Sequence, residues 1–222
     1  MTEKKSKTKK RHLSKDDILT AYMTYVLTNE RTPKSVYKFC NENNFTESEF
    51  YSYFGSFEGL QKEVWNGFFD HSMQLAHKDK SYPDFSNKEK MLTFFYTFFE
   101  ILTANRSYVL FSLQMHSASM KNLTQLQGLR GRLKEFAAGL IEDGNADKQI
   151  NFLKKPVSIF SEGAWLQTLF LLKYWKEDNS PSFEKTDVAI EKSVRAIFDV
   201  FETTPLESVV DFGKFLWKNK MN

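Results

Sequence analysis

"TESEFYSYFGSFEGL", residues 46–60, sets Phe50, Tyr51, Tyr53 and Phe54 between two hydroxyl-and-acid clusters. Thr46 followed three residues later by Glu49 is a capping box, in which each end satisfies a free backbone N–H of the other. The spacing predicts a helix over 46–54. Phe50 and Phe54, four apart, share its inward face, and Tyr51 and Tyr53 point outward. Gly55 is expected to end that helix, and Ser56 to cap a longer one through Leu60, Val64 and Phe68.

Working outward, Ser14 and Asp17 form a second cap with an acidic first turn. Ile18, Tyr22, Tyr25 and Val26 follow as one apolar stripe, predicting a helix that closes near Asn29. Thr32-Pro33 reads as the start of the next helix, with Thr as cap and Pro at the first helical position. Its inward stripe is Val36, Phe39 and Cys40. Asn43-Asn44 closes it, Asn being the non-glycine residue that best tolerates a left-handed turn. The second and third helices, joined by "NENNF", have the size of a helix-turn-helix. A bare three-helix bundle has the same periodicity.

Beyond residue 65 every periodic stretch is helical. Helices are predicted over 87–106, 107–120, 124–143, from Pro156 through "PVSIFSEGAWLQTLFLLKYWKED", over 185–203, and after Pro205. There is no β-alternation. With 5 Pro and 9 Gly in 222 residues, turns are few and elements long, so the fold class is all-α. A single cysteine, Cys40, excludes an internal disulfide. No apolar run reaches the roughly 18 residues of a membrane span, and the N-terminus lacks an apolar signal core. The expected compartment is the cytoplasm.

Net charge is +3, but it is unevenly spread. Residues 1–14 hold Lys4, Lys5, Lys7, Lys9, Lys10 and Arg11 against Glu3 alone. Residues 15–65 are acidic, with five Lys/Arg against eight Asp/Glu. The expected organisation is a basic disordered arm over 1–13, a helix-turn-helix domain over 14–65 and a helical regulatory and dimerisation domain over 66–222. A lysine-rich end is commonly only solvated; the sharper reading is an arm for nucleic acid.

"NENNFTESEFYSYFGSFEGL", residues 41–60, resembles the helix-turn-helix signature of the TetR family of bacterial repressors. Phe45, Thr46, Phe50-Tyr51-Ser52-Tyr53-Phe54, Ser56, Glu58 and Leu60 carry the resemblance. It implies a homodimer that inserts its third helix into the major groove of an operator. On that basis Lys34, Ser35, Thr46, Glu47, Ser48, Tyr51, Ser52, Tyr53 and Lys62, with Lys9, Lys10 and Arg11 of the arm, are the expected DNA-binding residues. Four positions depart from the pattern: Asn44 replaces the turn Gly, Glu47 and Phe57 replace Lys, and Ser52 replaces Arg. Three cationic positions are therefore gone, although phosphate neutralisation supplies much of DNA affinity.

The family likeness also implies a ligand cavity among the middle helices. The candidates are Phe94, Phe95, Phe98, Phe99, Leu102, Phe111, Met115, His116, Met120 and Phe160, an apolar wall suited to an apolar or amphipathic ligand. Core packing explains the same aromatics, and the plainer reading of His116 is a satisfied core histidine. The long stretch from Pro156 is apolar on too many faces for one subunit to cover. Trp165, Leu169, Phe170 and Leu172 are expected to meet Val194, Ile197, Phe198 and Phe201 across a two-fold axis. No metal-ligand spacing, cofactor motif or enzyme motif is present. The leading expectation is a ligand-responsive DNA-binding regulator; the alternative is a TetR-fold protein without DNA binding that carries a lipid-like ligand, as the fold's ubiquinone-pathway relatives do.

Overall fold

The structure, a computed structural model, describes residues 13–114, 124–146 and 157–203. Among them every regular element is helical: α1 Lys15–Asn29, α2 Val36–Glu42, α3 Glu47–Tyr51, α4 Phe57–Ala76, α5 Asn87–Ala104, α6 Arg106–Gln114, α7 Gln127–Ala146, α8 Val157–Glu177 and α9 Glu184–Thr203. None is long and apolar enough to cross a membrane. The described residues fall into two compact units. One holds those up to Val64 together with those of Ser107–Gln125; the other holds Trp65–Arg106 and those from Leu126 onward. The expected helix after Pro205 and the arm lie outside the described residues.

In the first unit, the Ser14 cap begins α1 as its spacing predicts, with the Asp17 carboxylate accepting from the Ser14 N–H at 3.0 Å. The start of α2 is a correction. Thr32 is not its cap; Ser35 is, extended at φ −150° with its hydroxyl accepting from the Lys38 N–H at 3.2 Å. Pro33 is buried ahead of the helix, an apolar plug at the corner rather than a first helical residue. α2 is therefore only 7 residues long.

One ring organises this unit. Phe39 is fully buried and meets Tyr22, Tyr25, Phe45, Phe50 and Phe57 edge-to-face, at centroid distances of 5.4–6.3 Å. Such edge-on contacts place the positive ring edge on a negative face. Two buried polar pairs accompany it. The Gln61 amide donates to the Tyr22 hydroxyl at 2.7 Å, and Ser112 and Gln125 exchange hydrogen bonds of 3.0 and 2.9 Å. Burial pushes the Tyr22 phenol up to about 12.

In the second unit α7 packs on α8, and α5 packs on both α7 and α9. Phe94, Phe95 and Phe98 are fully buried, and Phe94 stacks on Phe98 at 5.4 Å. α8 ends against Arg106. That guanidinium lies 4.4 Å from the centroids of both Trp175 and Phe183 and donates to the Trp175 and Lys176 carbonyls, satisfying acceptors that a helix end leaves open. Asp178 then caps the corner into α9. Its carboxylate accepts from the N–H and hydroxyl of both Ser180 and Thr186, at 2.7–2.9 Å. α7 carries Gly128, Gly131, Gly139 and Gly144. A Cβ on Gly128 would run into the Asn66 side-chain amide, whereas Gly131 and Gly139 have open space around them.

Phe39→Ala removes the ring that five others share, and we expect it to cost about 3–5 kcal/mol in urea unfolding. Asp178 gives a pH signature. Burial would raise its carboxyl, but the donors outweigh burial and hold it at about 2. A depressed folded pKa means that the stabilisation is present above the unfolded value of about 4 and is lost as pH falls toward 2. Asp178→Asn is expected to cost about 1.5–3 kcal/mol at neutral pH. Its deficit against wild type should shrink between about pH 4 and 2.

Candidate nucleic-acid interface

α2 gives way to α3 through a turn with Asn44 in the left-handed region, at φ 59°. The Phe45 N–H closes it on the Cys40 carbonyl at 3.1 Å, and Phe45 is buried beneath. Thr46 then opens α3 with the full capping box: its hydroxyl accepts from the Glu49 N–H at 3.2 Å, and the Glu49 carboxylate accepts from the Thr46 N–H and hydroxyl, both at 2.8 Å. The expected helix over 46–54 is shorter, ending at Tyr51. Its last turn tightens as the Tyr53 N–H bonds to Phe50 O, and the Ser52 hydroxyl donates to the Glu49 carbonyl at 2.6 Å. Gly55 does not adopt positive φ, so no left-handed glycine ends the helix.

Phe50 and Phe54 are buried; Tyr51 and Tyr53 are 53% and 39% exposed. The hydroxyls of Ser35, Thr46 and Ser52 hold backbone or capping partners of their own helices, so three of the expected DNA contacts are occupied in structural work. Ser48 and Lys34 are exposed, and Glu47 and Lys62 half-buried. The Tyr53 hydroxyl donates to the Leu13 carbonyl at 3.0 Å. Tyr37 on α2, 67% exposed, was not among the expected residues. The signal was available: a stripe of Val36, Phe39 and Cys40 leaves position 37 facing out. Lys9, Lys10 and Arg11 lie outside the described residues.

The acidic start of α3 is felt by its neighbours. Burial and then the charges of Glu47 and Glu49 push the Cys40 thiol up to about 11. Phe57, standing where the resemblance puts a lysine, has joined the aromatic cluster, stacked on Tyr22 at 5.7 Å and edge-on to Phe39 and Phe50. A cation there has been exchanged for core.

The second unit holds most of the residues expected to line a ligand cavity. Phe94, Phe95, Phe98, Phe99, Leu102 and Phe160 are buried, and their rings pack on one another and on Phe69, Phe136, Trp175 and Phe198. They are core residues in this structure. Phe111 belongs to the first unit, where it lines an open hollow of about 830 Å³ with Val26, Leu27 and Leu110. Met115, His116 and Met120 lie outside the described residues.

Residues 90–216 match the family model described as "Tetracyclin repressor-like, C-terminal domain". The chain belongs to the TetR family. No curated protein and no solved structure matches it. The match covers the helical region that carries no short motif, whereas the helix-turn-helix likeness lies upstream of it, so the two are independent.

Within this TetR-family chain α8 is not apolar all round in the way its composition suggests. Leu172, Val194 and Phe198, expected at a contact with a second subunit, are buried within the chain itself. Leu166, Phe170 and Tyr174 on α8 are 64%, 52% and 37% exposed, with Trp165 and Leu169 half-buried beside them. On α9, Ile197 is half-buried and Val188 and Val200 exposed; the Phe201 side chain lies outside the described residues.

Thr46→Ala removes one half of the capping box. We expect a loss of about 0.5–2 kcal/mol in urea unfolding without DNA, the usual range for deleting a hydroxyl cap.

Proposed function

We propose that the protein is a ligand-responsive transcriptional regulator that binds operator DNA as a homodimer, most simply as a repressor in the cytoplasm. The observation that carries this reading is the α2–turn–α3 unit, capped at Ser35 and Thr46 and turned at Asn44, with Ser48 and Tyr51 on its outer face. Family membership supports it. In this reading α3 enters the major groove, and the two half-sites lie about one helical turn, ~34 Å, apart or a multiple of it. A ligand favouring one arrangement of the subunits shifts the equilibrium between bound and free DNA. The test is binding of the full-length protein to the DNA upstream of its own gene as salt rises. A regulator shows affinity that falls steeply with salt; absence of binding even at low salt defeats the reading.

Tyr51 makes the finer test. Tyr51→Phe is expected to leave thermal unfolding unchanged and to weaken binding to operator and unrelated DNA alike, because a phosphate contact carries no base information. Loss confined to one sequence would assign Tyr51 to a base instead.

The exposed stripe of Leu166, Phe170 and Tyr174 supports α8 as the pairing face, since contiguous apolar surface on a monomer is small. Phe170→Glu is expected to yield monomer, or aggregate, by light scattering at micromolar concentration. A variant that remains a folded dimer moves the interface elsewhere.

A second reading has its own support. Glu47, Ser52 and Phe57 together remove three cations from the DNA-facing unit, which suits a protein that has left DNA and binds a lipid-like ligand. Glu47→Lys separates the two: if wild type ignores DNA and this variant binds it, the helix-turn-helix is a remnant.

A further inference from the structure

Tyr82, in the short turn between α4 and α5, is 5% exposed, and its hydroxyl is closed to water. Among the described residues that hydroxyl has no hydrogen-bond partner. A buried polar group left so is costly, and folded proteins hold few of them. Burial pushes the phenol up, so at neutral pH it keeps its proton and can donate. Tyr82 lines a hollow of about 300 Å³ in the second unit, open to the surface. That is the lower end of the range for small-molecule sites, roughly 300–1,000 Å³. Lys90, half-buried in the opening turn of α5, lines it too and has no ion pair among the described residues. A helix start favours anions, so a lysine there is better suited to holding one than to stabilising α5. α7 supplies Phe136 and Leu140, and Gly139 beside them leaves open space. Glu135 and Asp143 bracket that stretch of α7 and are exposed. His77, just past the end of α4, is also exposed, and its ring meets that of Tyr82 edge-on at 4.7 Å.

We propose that this hollow binds a small amphipathic acid: its carboxylate accepts from the Tyr82 hydroxyl and the Lys90 ammonium, and its alkyl chain lies over Gly139 against Phe136 and Leu140. The exposed acids of α7 set the direction. Glu135 and Asp143 repel a carboxylate from the α7 side, and the start of α5 attracts it. A cationic ligand would instead meet Lys90 and that same helix start, both repulsive. Entry needs one movement: His77, exposed and beside the phenol, swings aside to open the hydroxyl. The inference deepens the ligand-binding part of the proposed function and rests on it, but needs no DNA.

Calorimetry on the full-length protein tests it, with octanoate, octylamine and octanol as probes. Octanoate is expected to bind, and the cationic and neutral probes about tenfold more weakly or less, since each lacks the charge-assisted bonds. Tyr82→Phe and Lys90→Gln are each expected to weaken octanoate by about the same factor. Without ligand, Tyr82→Phe should melt at the wild-type temperature or above it, because the unmet hydroxyl is gone. Gly139→Leu puts a side chain into the hollow and should abolish binding in a protein that still melts cooperatively. Octylamine or octanol binding as well as octanoate overturns the proposal. So does octanoate binding that either Tyr82→Phe or Lys90→Gln leaves unchanged, and so does no octanoate binding at all. A Tyr82→Phe protein that melts well below wild type sinks it too, since the hydroxyl then has a structural partner. Binding to the upstream duplex is measured separately, so a failure with octanoate leaves the DNA-binding reading standing.

Discussion

The first unit depends on hydroxyl side chains taking up backbone N–H groups at helix starts. Ser14, Ser35, Thr46 and Ser56 each accept from the backbone three residues on, at α1, α2, α3 and α4. A helix of 5 or 7 residues has few internal bonds to spare, so leaving its first N–H groups unmet would cost a large part of its stability. The device has an electrostatic consequence. A capping box wants an acid at its third residue, and α3 therefore begins with Glu49 in the place where a DNA reader benefits least from negative charge. Local stability of α3 and attraction to phosphate pull in opposite directions here.

The aromatic core sharpens that opposition. Phe57 is worth more to the cluster around Phe39 than a surface cation is to folding, because burying a large ring removes much apolar area from water. The same logic runs through the second unit, where Phe94, Phe95, Phe98 and Phe99 are buried. Rings dominate both interiors, and the buried Gln61, Gln125 and Thr168 have hydrogen-bond partners.

What the sequence made legible was local. The caps at Ser14 and Thr46, the left-handed Asn44, and the inward Phe50 and Phe54 all follow from spacings of three or four residues. The helical class followed from periodicity and scarce Gly and Pro, and TetR membership followed from the helix-turn-helix motif. The α2 start was misplaced because Thr32-Pro33 and Ser35 are both valid start signals, and only tertiary burial of Pro33 selects between them. The Tyr53–Leu13 bond was invisible because its partners lie 40 residues apart and one of them is a backbone atom. Burial along α8 was hard to read for a related reason. Leu172 and Phe170 are equally apolar, and nothing in their neighbours says which one the chain's own core will claim.

The glycines of α7 set the mechanics of the second unit. Gly128 leaves room for the Asn66 side chain, whereas Gly131 and Gly139 meet no atom that would exclude a methyl group. Each glycine inside a helix gives up roughly 0.5–1 kcal/mol relative to alanine. α7, which packs on both α5 and α8, is thus intrinsically softer than the glycine-poor α5. Bending or fraying α7 is therefore expected to require less work than deforming α5.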